Sequence, residues 1–352
     1  MFQQEHSTHY SQPDWIKPMP DKNLPLIDLH HHLDGSIRLE TILDLGLKHN
    51  LPLPAKTLEG LRPYVQVSTP QPGVMKFIEK FEWMTGVLVD YDACRRVAFE
   101  NVEDAYHEGI DYIELRYSPW FMAEAHGLKP EGVVEAVTEG IRAAERQFNI
   151  RANQLGILSR HYGPEIAMKE LDAQLRYAAE FAGLDLAGDE AHYPGSLFVE
   201  HFKKARDAGW HITVHAGEAA GPESIWQAVR ELGAERIGHG VHAPDDPELL
   251  DFLREREISI ECNLTSNVQT STVADYPSHP MRLFLEKGLL ATLNTDDPGI
   301  SAIDLHYEYE VAAPQAGLTP AMIRQAQQNA LTTAFLSESE KEALKTRAAQ
   351  RG

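Results

Sequence analysis

A chain of 352 residues, 43% hydrophobic and 24% charged, has the composition of a globular protein long enough for one large domain or two ordinary ones. No apolar run approaches the roughly 20 residues that a membrane span needs. Lys and Arg number 32 against 53 Asp and Glu, a formal charge of −21, and so acidic a surface repels phosphate backbones and disfavours nucleic acid as a partner.

In chain order, Met1 to Asp14 are polar and lack the apolar core of a signal peptide, which places the protein in the cytoplasm. Residues 1–20 read as an irregular extension, and no Ser/Gly/Pro-rich boundary divides the rest, so 1–352 is expected to be one domain. Short apolar runs bounded by turn residues give eight strand candidates: 26–30, 111–117, 154–160, 183–187, 211–215, 236–239, 258–262 and 289–294. About eighty residues separate the first two, and helical patterns such as Tyr91 to His107 make that stretch a structured insertion. Within it, Phe77, Phe81, Trp83 and Met84 would either form an apolar lid over a substrate or simply be the core of the inserted helices.

From about residue 150 one unit repeats: an amphipathic helix, a Gly turn, then a short apolar strand with a polar end. Examples are Phe202 to Gly209 leading into His211 to His215, Ile225 to Gly233 leading into Arg236 to His239, and Met281 to Gly288 leading into Leu289 to Asn294. Gly suits the left-handed cap past a helix end. Pro222, Pro247 and Pro280 suit the first helical position. Alternating strand and helix means parallel βα units.

Chemistry-bearing residues follow strands one, five, six and eight. Strand one gives Asp28-Leu29-His30-His31-His32-Leu33-Asp34-Gly35, in which His30 and His32 share a face and His31 points away. Strand five ends in His215-Ala216-Gly217-Glu218, strand six in Gly238-His239-Gly240, and strand eight in Asn294-Thr295-Asp296-Asp297-Pro298. Each fragment alone has a plain structural explanation, such as a solvated Asp-Asp-Pro turn; their combination does not. Neighbouring strands lie about 4.8 Å apart, so in an open sheet strands one and eight would be over roughly 30 Å apart. Only a closed (β/α)8 TIM barrel gathers these strand ends on one ion, at the face where such barrels hold their sites.

His30, His32, His215 and Asp296 then supply N and O ligands suited to zinc, with a position left for water. Glu218 and His239 would be the acid and base beside it. The loose dinucleotide fingerprint Gly238-His239-Gly240-Val241-His242-Ala243 runs into Pro244 to Pro247 instead of opening a helix. A zinc site of the P-C-x-x-C type is absent, because Cys94 and Cys262 are 168 positions apart. Residue spacing by itself stops at a mononuclear metal hydrolase.

At these residues the sequence resembles the adenosine deaminase family of the metal-dependent amidohydrolases. The matching segments are His30 to Gly35, Glu114-Leu115-Arg116-Tyr117-Ser118-Pro119, Asp185-Leu186-Ala187-Gly188-Asp189-Glu190, His215 to Glu218, Gly238 to Gly240 and Asn294 to Pro298. The resemblance implies one Zn2+ per chain on His30, His32, His215 and Asp296, and hydrolysis of adenosine and 2′-deoxyadenosine to inosine and 2′-deoxyinosine plus ammonia. It implies that Glu218 protonates N1 of the purine and that His239 orients or deprotonates the attacking water. It further implies that the Gly188 N–H meets N3, Asp34 the ribose 5′-hydroxyl, and Asp297 N7. Because N7 is an acceptor, Asp297 is expected to be protonated. The implied partners are thus a purine nucleoside and water, with neither nucleic acid nor membrane.

Deamination of adenine or another 6-aminopurine is the alternative. Related adenine deaminases tend to carry Glu where Asp34 stands, and a nucleotide substrate would call for a Lys/Arg cluster near the strand-end motifs. A two-metal amidase or phosphoesterase on the same barrel often has a bridging Lys at the end of strand four, which here ends in Leu186-Ala187-Gly188. A non-catalytic purine-binding barrel would lack Glu218 or His239.

Overall fold

A computed structural model describes residues 19–351. The expected extension 1–20 falls, but for residues 19 and 20, outside the described residues. Eight parallel strands stand in sequence order around a barrel: β1 (Ile27–His32), β2 (Tyr112–Tyr117), β3 (Arg151–Ser159), β4 (Phe181–Ala187), β5 (His211–Ala216), β6 (Arg236–His239), β7 (Ser259–Cys262) and β8 (Ala291–Leu293). Such strands are buried on both faces, and β1, β2, β6, β7 and β8 are buried at every residue.

Two of the strand boundaries moved for a visible reason. β3 begins at Arg151 because Asn153 and Gln154, polar and easily mistaken for loop, hydrogen-bond to Tyr112 Oη and Tyr117 Oη, both at 2.9 Å. β8 ends at Leu293 because the Asn294 side chain takes over its edge. The Asn294 amide donates to the Cys262 carbonyl at 3.3 Å and accepts the Leu29 N–H at 3.1 Å, spanning from β7 to β1. Closure is completed one step higher: His32 N–H donates to the Asp296 carbonyl at 2.7 Å, and Asp296 N–H to the His30 carbonyl at 2.8 Å.

The stretch between β1 and β2 contains α1 (Leu39–Lys48), α2 (Leu58–Val65), α3 (Val74–Ile78), α4 (Phe81–Thr85) and α5 (Tyr91–His107), the last with the expected bounds and with Asp90 capping the Ala93 N–H at 2.8 Å. Pro222 and Pro247 open helices as expected, while Pro280 precedes the helix Met281–Glu286 as its cap residue. The helix expected from Ile225 to Leu232 runs Pro222–Gln227 and then widens to a π turn over Ala228–Leu232, ending on Gly233 at φ 79°. Gly209 and Gly288 take the same left-handed cap.

The barrel interior is charged, not aliphatic. At its floor Arg236 pairs with Glu114 and Glu261, and the C-terminal segment plugs the end: Phe335 N–H donates to Glu114 at 2.8 Å, and Arg236 to the Thr333 carbonyl at 3.0 Å. One level up, Arg116 pairs with Asp185 at 2.8 Å and Glu261 at 2.9 Å. No helix among the described residues is long and apolar enough to cross a membrane.

Candidate active site

Above the Arg116 level the strand ends converge as the period-two reading requires. One nitrogen or oxygen from each of His30, His32, His215 and Asp296 lies within 4.8 Å of the others, all four residues buried. His30 Nε2 is 3.0 Å and His32 Nε2 3.3 Å from Asp296 Oδ1, and His32 Nε2 is 3.2 Å from His215 Nε2. His31 points away, to Thr295 Oγ1 at 3.0 Å and Asn101 Oδ1 at 3.2 Å.

The tautomers of two of these histidines are set from behind. His30 Nδ1 meets Glu261 Oε2 at 2.7 Å, and His215 Nδ1 meets Asp185 Oδ2 at 2.9 Å. Both carboxylates are ionised. Burial opposes that, but for Asp185 the hydrogen bond from His215 and the Arg116 charge outweigh it and hold the carboxyl below its ordinary range, and for Glu261 the charges of Arg116 and Arg236 do. Each therefore accepts the Nδ1 proton and leaves the Nε2 lone pair facing the centre. With its proton on Nδ1, His30 Nε2 has none to give the Asp296 oxygen 3.0 Å away, so two buried acceptors face each other, which is costly unless a cation fills the centre. Burial also pushes His215 down to about 4, keeping it neutral as a ligand must be. The donor set and its second layer thus fit a small divalent cation such as zinc.

Glu218 and His239 sit beside this centre, His239 Nε2 lying 3.7 Å from Glu218 Oε2. Burial, then the charges of Asp296 and Glu190, raise the Glu218 carboxyl well above its usual range, as suits a proton donor. Its position comes from a buried carboxylate that the sequence reading gave no role. Glu190 accepts the backbone N–H groups of Gly217 at 2.7 Å, Glu218 at 3.1 Å, Ala219 at 2.6 Å and Ala220 at 3.1 Å, and the Ser224 hydroxyl. His239 and Asp296 both take left-handed backbone, φ 65° and 64°, a strained conformation for non-glycine residues that gathers at functional sites.

The centre opens into a cavity. Its lining includes Asp34, Gly188 and Asp297 together with His32, His215, Asp296, Glu218 and His239, and no Lys or Arg. Asp34 Oδ2 takes the Ser118 N–H at 3.2 Å, while Asp34 Oδ1 and Asp297 Oδ1 are buried without partners. Burial first, then the Asp296 charge, raises the Asp297 carboxyl well above its usual range. Gly35 leaves the space that the Asp297 carboxylate occupies, and any Cβ there would overlap Oδ1. Gly188, at φ 104°, holds its backbone bare at the cavity wall, where a Cβ would come within 2.7 Å of His161 Nδ1.

Of the four lid candidates, Phe77 and Phe81 line the cavity, joined by Val74 and Ile78. Met84 is fully buried in the core, and Trp83 packs edge-on against Tyr64 at 6.5 Å between ring centres.

The family model for adenosine deaminase matches residues 25–350. The chain is 58% identical to an adenosine deaminase of Klebsiella pneumoniae over 332 residues, covering 94% of this chain and 100% of that one, and equally so to one of Salmonella typhimurium. Among solved structures, a Burkholderia ambifaria amidohydrolase with bound Zn superposes with a TM-score of 0.83 at 26% identity, over 94% of this chain and 91% of that one. An adenine deaminase of Arthrobacter aurescens shares the fold at a TM-score of 0.86 and 23% identity, over 93% and 99%.

Proposed function

Because the chain belongs to the adenosine deaminase family, we propose that His30, His32, His215 and Asp296 hold one zinc ion, with Glu218, His239 and Asp297 acting on the purine of a nucleoside seated beside it. The protein is a hydrolase that deaminates adenosine, giving inosine and ammonia; 2′-deoxyadenosine is proposed as a second substrate. When bound, the ion supplies a Lewis acid and a water whose pKa falls from about 15.7 to about 7.

The side chains do the rest. Glu218, kept protonated by burial and its acidic neighbours, gives its proton to N1, which makes C6 electrophilic. His239 orients the water that attacks C6. Asp297 donates from its carboxyl to N7, an acceptor that an ionised carboxylate could not satisfy. The Gly188 N–H faces N3, where a bare backbone lets a ring approach. Asp34 Oδ1, buried and unpartnered, accepts the ribose 5′-hydroxyl.

One observation carries this reading: a buried four-ligand centre adjoins a cavity in which two further carboxyls, Asp34 and Asp297, each have an oxygen that needs a partner. The absence of Lys and Arg from the lining favours a nucleoside over a nucleotide. We place the reaction in the cytoplasm, which is consistent with two free, buried cysteines. A panel of adenosine, 2′-deoxyadenosine, adenine and adenosine monophosphate, followed by loss of aminopurine absorbance, tests it. Turnover of the two nucleosides is expected; turnover of adenine but not adenosine would overturn the assignment of Asp34.

A further inference from the structure

A backbone N–H can only donate, and one such group fixes a chain of hydrogen bonds that ends in the active site. Met281 N–H meets His279 Nδ1 at 3.1 Å, so this nitrogen carries the lone pair and the ring proton sits on Nε2. Burial pushes His279 down to about 3, which keeps the ring neutral. His279 Nε2 lies 3.1 Å from Asn267 Oδ1, which therefore accepts. That contact orients the Asn267 amide, a choice otherwise ambiguous from shape alone.

Both Nδ2 hydrogens of Asn267 then point elsewhere. One goes to Thr272 Oγ1 at 3.2 Å, whose own proton goes to the Asn267 carbonyl at 3.1 Å. The other goes to His239 Nδ1 at 3.0 Å. Asn263 Nδ2 approaches the same ring nitrogen at 3.2 Å. With a donor fixed opposite Nδ1, the proton of a neutral His239 ring belongs on Nε2, which faces Glu218 Oε2 at 3.7 Å and Asp296 Oδ2 at 4.0 Å.

We propose that Asn267 and His279 are positioning residues that hold His239 as its Nε2–H tautomer, so that His239 donates a hydrogen bond to the attacking oxygen and does not take its proton. The inference rests on the proposed function only for what that oxygen attacks. The proton balance closes without His239. Glu218 gives its proton to N1 and becomes a carboxylate; as the water's O–H bond breaks and the oxygen bonds to C6, Glu218 receives that proton. It then passes the proton to N6 as the C6–N6 bond breaks and ammonia leaves, and takes back the proton of the C6 hydroxyl as C6=O forms, ending protonated as it began. The His239 ring keeps its own throughout.

The test is the ring-nitrogen NMR spectrum of metal-replete protein labelled with 15N-histidine, with His239 assigned by its disappearance in His239→Gln. A pyridine-type Nδ1 and a proton-bearing Nε2 are expected. Asn267→Asp places an acceptor opposite Nδ1 and is expected to invert that pattern, lowering kcat about tenfold or more while KM stays within about threefold. A proton on Nδ1 in the unaltered protein, or an unchanged ring pattern in Asn267→Asp, would overturn the proposal. If Asn267→Asp does not fold, His279→Phe removes the orienting donor and is expected to mix the two ring patterns; a pure Nε2–H pattern there would overturn it equally. The spectrum is read without substrate, so its outcome is separate from that of the substrate panel.

Discussion

The floor and the mouth of the barrel are both buried and both rich in charged groups, yet they treat their carboxylates in opposite ways. At the floor and one level above it, Glu114, Arg236, Glu261, Arg116 and Asp185 are all ion-paired. At the mouth, the carboxyl oxygens Asp34 Oδ1 and Asp297 Oδ1 have no partner, and two non-glycine residues hold left-handed backbone. A buried polar atom without a partner costs about 1–3 kcal/mol, so two such oxygens in the lining of one cavity mark where a ligand completes the structure. The floor is not idle, however. Through Glu261 and Asp185 it fixes the tautomers of His30 and His215.

The contrast is broken most forcefully by one substitution at each end. Glu218→Gln is expected to lower kcat by about 10²–10⁴ with the urea midpoint unchanged. Arg116→Met leaves Asp185 and Glu261 with less counter-charge and is expected to cost about 3–5 kcal/mol of stability by urea unfolding. If Glu218→Gln unfolded as readily as Arg116→Met, the mouth would be as structural as the floor.

A smaller effect separates the two roles open to Asp297. Asn in its place keeps a donor for N7, whereas Ala keeps none, so Asp297→Asn should retain a kcat/KM about tenfold above that of Asp297→Ala, the worth of roughly one hydrogen bond. Equal losses in the two variants would remove the donor role.

The smallest effect concerns buried carboxyls outside the ligand centre. Burial, against the opposing hydrogen bonds, raises Glu170 to about 7 and Glu308 to about 8. Each then holds in the folded state a proton that the unfolded chain loses above its ordinary value of 4.5. The folded state therefore binds more protons, and stability from these groups falls as pH rises from 4.5 to about 8. Glu308→Gln should flatten the fall of Tm over that window; a slope identical to that of the unaltered protein would count against it.

How much of this was legible in the sequence follows the same division. The ligands, Glu218 and His239 stood out because they close strands in period-two or Gly-flanked motifs, and the barrel followed from the need to bring them together. Glu261 and Asp185 carry no such mark. Each is a single carboxylate inside a buried strand, and its meaning lies in His30 or His215, 231 and 30 positions away. Glu190 and Asn267 were hidden in the same way, since their partners are backbone amides and a ring nitrogen on other elements. The lid was half legible. Helices of five residues are too short for periodicity to set a face, so Phe77 and Phe81 could not be told from Trp83 and Met84.

The central claim is that one ion completes the mouth of this barrel for adenosine hydrolysis. Its most direct test is to strip the protein with a chelator and titrate zinc back while following adenosine absorbance. Activity should vanish on chelation and return in proportion to added zinc, reaching its plateau at one equivalent per chain. Full activity in the stripped protein, or a plateau only at two equivalents, would contradict the account.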